Sequence, residues 1–435
     1  MNKLQRTDYK IKRDQAIRQA KLLVRNNLYC IYEDTISWHN FLKALKQCCK
    51  GVNWKNSVQV YFENAITKIY SARNCLAKGH IPHLHSVGNI VIHERGKERI
   101  IVPIKIEDRM VQRVFCDNTL VPLFKDYLIY DNGASTKGKG VEFTRDRLLL
   151  KIKNANKRWN NDYYVLQFDF KKYFDSIPHK TCYEVIRSKV LDKKTVDIIM
   201  EVILSYKRNE INKITDVLER KEQLRKLENY ELFGICLGSQ ISQILALIVP
   251  NKLDHFVKDQ CGVKEYIRYM DDGILFAKTK EELRRLYQGM KELCDELGLR
   301  FNEKKTRIVH ISKGFTFMKL KYQVVNSKIV IRLTRKGITR MRRKLKKFRK
   351  LVDDGKMLLD DVYNSIQSWL AHSYKAMSYT TRKNMLQLYD DLFDGYRITK
   401  KFDNLVKRKI KGRNVPDEML QNDKWYKYRW DCDAA

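Results

Sequence analysis

Proline is scarce, with 6 in a chain of 435 residues. That leaves no Pro-rich linker and fits packed domains, two or three by length. No run of 18 apolar residues occurs, so no segment is expected to span a bilayer. Residues 1–14 are polar and basic and lack the apolar core of a signal peptide. The ten cysteines form no CxxC pair and no zinc-type spacing with histidine, and the adjacent Cys48 and Cys49 are poorly placed to bridge each other. They read as reduced thiols, so a cytoplasmic protein with no membrane partner is expected. Acids are short as well: 51 Asp+Glu face 87 Lys+Arg, for a formal charge of +36. Such a charge opposes compaction by self-repulsion and excludes an ordinary enzyme of small neutral substrates. At 43% hydrophobic residues the chain can still bury a core, which excludes a disordered basic tail. The compensating partner is a polyanion, with nucleic acid ahead of an acidic membrane surface.

What is present falls into stretches. Residues 1–85 read as helical, with Trp38, Phe41, Leu42 and Leu45, then Phe62, Ile66, Ile69 and Tyr70, at helical spacing. Two β-branched runs, Asn89 to His93 and Arg99 to Val102, flank a charged turn holding Arg95, Gly96 and Lys97 and read as a hairpin with a basic tip. Tyr163 to Phe168 reads as a strand ending at Asp169. Residues 180–232 read as mostly helical, with Lys207 to Tyr230 on the surface. Ile267 to Ala277 reads as strand, acidic turn and strand, followed by an amphipathic helix from Glu281 to Leu297. Thr316 to Val325 and Ile329 to Leu333 suggest a further hairpin. The last stretch begins near Thr334 as a helix with an apolar stripe of Met341, Leu345, Phe348 and Val352. From Arg335 to Lys350 it carries 10 Lys/Arg and no acid. One face of such a helix packs on the protein and the rest suits a polyanion.

Against this basic background a few acids stand out. Asp–Asp pairs recur at 353, 360 and 390, all in helical, solvated contexts. The pair Asp271–Asp272 alone is bracketed by two apolar β-runs. Carboxylates at the tip of a buried hairpin repel one another and lose solvation, which calls for a cation, and hard oxygen ligands suit Mg²⁺. An ordinary β-turn with surface acids is the plainer alternative. Asp169, at the end of another strand, can converge on the same place. Three carboxylates can then hold two Mg²⁺ ions about 3.5–4 Å apart, the geometry of in-line phosphoryl transfer.

Tyr269-Met270-Asp271-Asp272 resembles the YxDD signature of reverse transcriptases, and Asp169 with Phe174 resembles their first metal-binding motif. The resemblance runs from about residue 85 to 395. It implies an α+β fold of the right-hand polymerase kind. The expected domains are an N-terminal helical extension at 1–85, fingers at 86–162, a palm at 163–334 with a helical insertion at 180–232, and a helical thumb and tail at 335–435. It implies Asp169, Asp271 and Asp272 as metal carboxylates, with the Phe170 carbonyl as a backbone ligand and Mg²⁺ as the ion, Mn²⁺ being able to replace it. Phe174 matches the position that excludes a 2′-hydroxyl. Arg99, with Lys97 or Arg95, matches the hairpin that grips the incoming triphosphate. Lys305, in a motif with Asn302 and Thr306, matches a residue that can protonate pyrophosphate, with helix-end capping as its plainer role. Lys137 and Lys139, in a Gly/Lys-rich segment at 133–140, suit a template backbone. On the basic helix, Arg340, Arg343, Lys344 and Lys347 suit a template–primer duplex. Gly314 to Lys319 resembles the primer-grip turn, with Lys319 where glycine is usual. Trp369 and His372 resemble a thumb motif and read as structural.

One segment departs from the commoner pattern. In Gly234-Ile235-Cys236-Leu237-Gly238-Ser239-Gln240-Ile241-Ser242-Gln243, Leu237 stands where most relatives have glutamine, and Gln243 where they have proline. This fits bacterial enzymes of the group II intron-like lineage, namely those of diversity-generating retroelements and phage-defence systems. Leu237, Gly238 and Gln243 are expected beside the incoming dNTP, and the loss of the glutamine implies weaker dNTP discrimination. Residues 335–435 leave room for a thumb and none for an endonuclease or RNase H domain. The implied partners are dNTPs, a dedicated non-coding template RNA and its cDNA. The N-terminal helices leave room for an accessory protein or a second copy of the chain. Two rivals remain open: an RNA-dependent RNA polymerase, and a non-catalytic RNA-binding scaffold.

Overall fold

The computed structural model describes residues 3–82, 90–94, 97–394 and 396–397, with backbone alone for residues 3–12, 94 and 97. The expected roles of Arg95, Gly96 and the Lys97 side chain, and the tail from 398 to 435, lie outside the described residues. Two compact units form. One gathers residues 1–151 and 166–308, and the other residues 152–165 and 309–435. Their boundaries do not coincide with those of the four stretches read from sequence: residues 152–165 and 309–334 fall in the second unit. Each unit mixes helix and sheet or helix and hairpin, as an α+β chain should.

In the first unit β1 (Ile90–Glu94) and β2 (Lys97–Ile101) pair antiparallel as the expected hairpin. β3 (Tyr164–Asp169), β4 (Tyr266–Tyr269), β5 (Asp272–Ala277) and β6 (Arg307–His310) form a sheet in the order β4-β5-β3-β6, all of it in this unit but residues 164–165 and 309–310. β4 and β5 are antiparallel, with Tyr269 opposite Asp272, so Met270 and Asp271 are the two turn residues. Met270 takes φ +54°, a conformation bulky L-residues avoid. β5 can lie flat against β3 because residue 273 is glycine: a Cβ there would stand 2.1 Å from the Phe168 ring.

Capping sets the helix starts. Ser239 accepts from Ser242 N ahead of the helix Gln240–Ile248, and Thr279 accepts from Glu282 N ahead of Lys280–Glu296. The N-terminal helices Trp38–Cys49, Asn56–Glu63 and Ala65–Ala77 match the helical expectation, but one stripe does not. Val58, Tyr61, Ile69, Ala72 and Leu76 are buried, while Phe62 and Ile66 are 60% and 74% exposed. Asn64, at ψ 18°, ends one helix and caps the next, so Phe62 and Ile66 do not lie on one continuous helix. The expected surface stretch from Lys207 is mostly exposed but pinned: Leu227 on the helix Val217–Glu228 is buried with Leu204 and Ile211.

In the second unit the expected strand from Thr316 to Val325 is two strands. β7 (Phe315–Phe317) turns at Met318 and Lys319, at φ +47° and +69°, into β8 (Leu320–Val325). β8 turns again at Asn326 and Ser327 into β9 (Lys328–Leu333). Both are two-residue turns with two positive φ values, which match the twist of a hairpin. After Thr334, whose hydroxyl accepts from Gly337 N, the basic helix Arg335–Asp353 begins. It packs Met341, Leu345 and Phe348 against the helices Leu359–Ser373 and Tyr379–Phe393, with Val352 and Trp369 at the margin of that core.

Candidate active site

Asp169 closes β3, Asp271 sits in the β4–β5 turn and Asp272 opens β5, the neighbour of β3. The order of the sheet therefore brings together carboxylates that are far apart in sequence. Burial pushes Asp272 up to about 7, the negative charges of Asp271 and Asp169 add to this, and Lys305 opposes it. A hydrogen bond between the Asp272 and Asp169 carboxyls also favours a proton on Asp272. Asp271 is raised by burial and then by Asp169, while Lys305 and Arg99 pull it down. Arg99 on β2 is thus within electrostatic reach of Asp271.

Lys305 Nζ lies 2.5 Å from Asp169 Oδ2, and Asn302 donates its backbone N–H to the Asp169 carbonyl at 2.7 Å. The expected motif at 302–306 is therefore folded directly onto Asp169, and Lys305 serves first as its counter-charge. Phe170 is buried, stacked on Tyr173 and Phe301.

Among the described residues, no three His, Cys, Asp or Glu side chains are already gathered closely enough to hold a metal ion by themselves. Mg²⁺ is commonly held by one or two carboxylates together with substrate phosphates. The relevant test is whether these acids would accept a cation. Three mutually repelling carboxyls, one of them raised to about 7, fit that requirement.

The other expected nucleotide-side residues join the same unit through backbone contacts. Val102 N, one residue past β2, donates to the Leu237 carbonyl at 3.3 Å. Gly238 has φ +115°, and a Cβ there would meet the Val102 carbonyl at 2.8 Å, so only glycine allows this approach. Ile235 N donates to the Phe174 carbonyl at 2.9 Å, and Phe174 is half-buried. Gln243 is exposed on the following helix.

Of the expected template-side lysines, Lys137 is exposed. Lys139 is turned inward: it donates to the Tyr130 and Asn132 carbonyls and lies over the Tyr130 and Phe143 rings. Arg340, Arg343 and Lys347 are exposed on the basic helix of the second unit, while Lys344 donates to Ser365 Oγ at 2.8 Å and lies over Phe348.

Four residues that support the site escaped the sequence reading. Gln112 Oε1 accepts from Ser239 Oγ and Gln240 N, tying down the loop after Gly238. Asp131 is held at about 2: burial would raise it, but hydrogen bonds from Arg147, Lys258 and Lys151 prevail. Arg268 is buried inside β4 against Asp254. A charge between Ile267 and Tyr269 in an apolar strand was a usable signal, whereas Gln112, Asp131 and Asp254 had none.

A strand-borne acid beside an acidic hairpin turn, backed by a lysine, is the arrangement of a polymerase-type nucleotidyl transferase. Residues 92–322 match the family model described as reverse transcriptase (RNA-dependent DNA polymerase). That is over half of the chain, and the chain belongs to the reverse transcriptase family. It is 21% identical over 305 residues to Protein YkfC of Escherichia coli (strain K12), covering 62% of this chain and 74% of that protein. A solved structure of apo telomerase from Candida tropicalis, truncated from its C-terminal domain, is similar with a TM-score of 0.39 and 15% identity. That match covers 61% of this chain and 60% of the telomerase chain. Among the described residues, no helix is long and apolar enough to cross a membrane.

Proposed function

We propose that the chain is an RNA-directed DNA polymerase of right-hand architecture that extends a 3′-hydroxyl with dNTPs on an RNA template. The observation that carries this reading is the convergence of Asp169, Asp271 and Asp272, with Lys305 on Asp169 and Arg99 within electrostatic reach. Asp169, Asp271, Asp272 and the Phe170 carbonyl would hold two Mg²⁺ ions. When bound, such ions lower the pKa of the attacking hydroxyl and neutralise the leaving pyrophosphate.

The chain's own residues supply the rest. Asp169 and Asp272 orient the reacting groups at the ends of two adjacent strands. Lys305 balances Asp169 before substrate arrives, and its ammonium is a proton source for the departing pyrophosphate. Arg99 reaches the triphosphate with a guanidinium fork. Phe174 presents an apolar ring where an RNA polymerase would present a polar reader of the 2′-hydroxyl, which favours dNTP. Arg340, Arg343 and Lys347 offer a basic stripe to the template–primer duplex. The lineage motif around Leu237 supports copying of a dedicated RNA, in a phage-defence system or a diversity-generating retroelement.

The test is primer extension on RNA with dNTP or rNTP, using the wild type and the double variant Asp271→Asn, Asp272→Asn. DNA synthesis lost in the variant is the expected result. Preferential use of rNTP would make the chain an RNA polymerase. Unchanged biological activity in the variant would make it a scaffold. Sequencing the RNA and cDNA that co-purify with the protein identifies the template and separates the two biological settings.

A further inference from the structure

The β4–β5 turn has an unusual support beneath it. Arg268 and Asp254 are both 0% exposed. Arg268 Nε donates to Asp254 Oδ1 at 2.7 Å and Nη2 to Oδ2 at 2.6 Å. Nη2 also donates to the Leu247 carbonyl at 2.9 Å, and Nη1 to the Met270 carbonyl at 2.8 Å. Tyr266 Oη donates to Asp254 Oδ1 at 2.7 Å, so the acid is further satisfied. A buried ion pair is a poor source of stability compared with apolar packing of the same size. Its cost points to a task.

The task is visible in what the guanidinium holds. The Met270 carbonyl belongs to the peptide plane that joins Met270 to Asp271. That plane is rigid, so fixing its oxygen fixes the direction in which Asp271 leaves the turn. Met270 needs such a hold, because φ +54° is disfavoured for its side chain. The Leu247 contact ties the same guanidinium to the helix Gln240–Ile248, which begins at the loop carrying Leu237 and Gly238. Beyond β4, Arg268 N donates to the Asp131 carbonyl and Gly133 N to the Arg268 carbonyl, so the strand itself is braced.

We propose that Arg268 and Asp254 are positioning residues, a clamp that holds the strained Met270 peptide and so sets Asp271 and Asp272 against the nucleotide-side helix. The proposal rests on the polymerase reading above. Arginine is required at this point because one planar group reaches two carboxylate oxygens and two carbonyls at once. A lysine ammonium keeps the charge but cannot span all four.

The experiment compares Arg268→Lys in two backgrounds, the wild type and Met270→Gly, with single-turnover nucleotide addition and thermal melting as readouts. Glycine adopts a positive φ without help. Arg268→Lys is expected to slow the maximal rate of addition by about 10–100-fold, the usual effect of losing an outer-sphere partner. The dNTP concentration for half-maximal rate should change by no more than about threefold, as befits a loss confined to the reaction step. In the Met270→Gly background the same substitution should cost only about threefold, because the strain it no longer restrains is gone. Equal penalties in both backgrounds, or an unchanged rate in Arg268→Lys, overturn the clamp. Should Arg268→Lys fail to fold, Asp254→Asn goes through the same comparison and is judged by the same two outcomes. Asp272→Asn is the control. If it retains DNA synthesis, the polymerase reading fails. If it abolishes synthesis while the penalties are equal, only the clamp fails.

Discussion

Gly273→Ala probes the join between β5 and β3 directly. The new Cβ would lie 2.1, 2.3 and 2.8 Å from three atoms of the Phe168 ring. Carbon atoms pack at about 3.5–4.0 Å, so ring or strand must yield by roughly 1.5 Å. The ring has little freedom to do so. Phe168 is fully buried, stacked on Tyr266 and edge-on to Phe170 and Phe301 at 5.9 and 5.2 Å. The strand must therefore move, and Asp272 is the residue before Gly273. Overpacking of this kind costs about 1–3 kcal/mol of stability, read as a lower urea midpoint at unchanged slope. A displacement of about 1 Å at a reacting group costs on the order of 100-fold in rate. Primer extension should fall by about that factor while the protein stays folded. Phe168→Leu removes the obstructing ring edge, so the double variant should regain much of the rate. Wild-type activity in Gly273→Ala, or a double variant no faster than the single one, would refute the argument that this contact sets Asp272.

Other outcomes follow from the same geometry. Leu237→Gln should lower misincorporation, by up to about tenfold for one restored hydrogen bond of about 0.5–1.5 kcal/mol; equal error rates in a fidelity assay would sink that idea. Arg340→Ala, Arg343→Ala and Lys347→Ala should each reduce the slope of log K against log salt for template–primer binding by about one. Lys344→Ala should reduce it less, since Lys344 is engaged with Ser365. In metal-free buffer, Asp272 binds its proton more tightly in the fold than in the unfolded chain, so stability should fall as pH rises from about 4 towards 7. Asp272→Asn should flatten that slope, and Mg²⁺ should restore stability at pH 8; melting curves across pH check both.

Asp271 and Asp272 were legible because apolar β-runs bracket them, unlike the pairs at 353, 360 and 390. The hairpin at 90–101 and the basic helix with its stripe of Met341, Leu345 and Phe348 were legible from period alone. The stripe through Phe62 and Ile66 misled, because Asn64 breaks the helix between them and one period does not carry across the break. The strand from Thr316 misled because no glycine marks the turn at Met318 and Lys319. Lys139 read as a template contact from its Gly/Lys setting, yet aromatic rings and two carbonyls hold it inward.

By itself the sequence determined the elements, the charge of +36 and the chemistry available at each strand end, since alternation, period and residue type are local properties. Only the tertiary structure decided that β5 lies beside β3, that Lys305 folds back on Asp169 and that Arg268 reaches under the turn to Asp254. Those are pairings between distant segments, chosen by packing such as Gly273 against Phe168, and no local pattern encodes a partner that lies elsewhere in the chain.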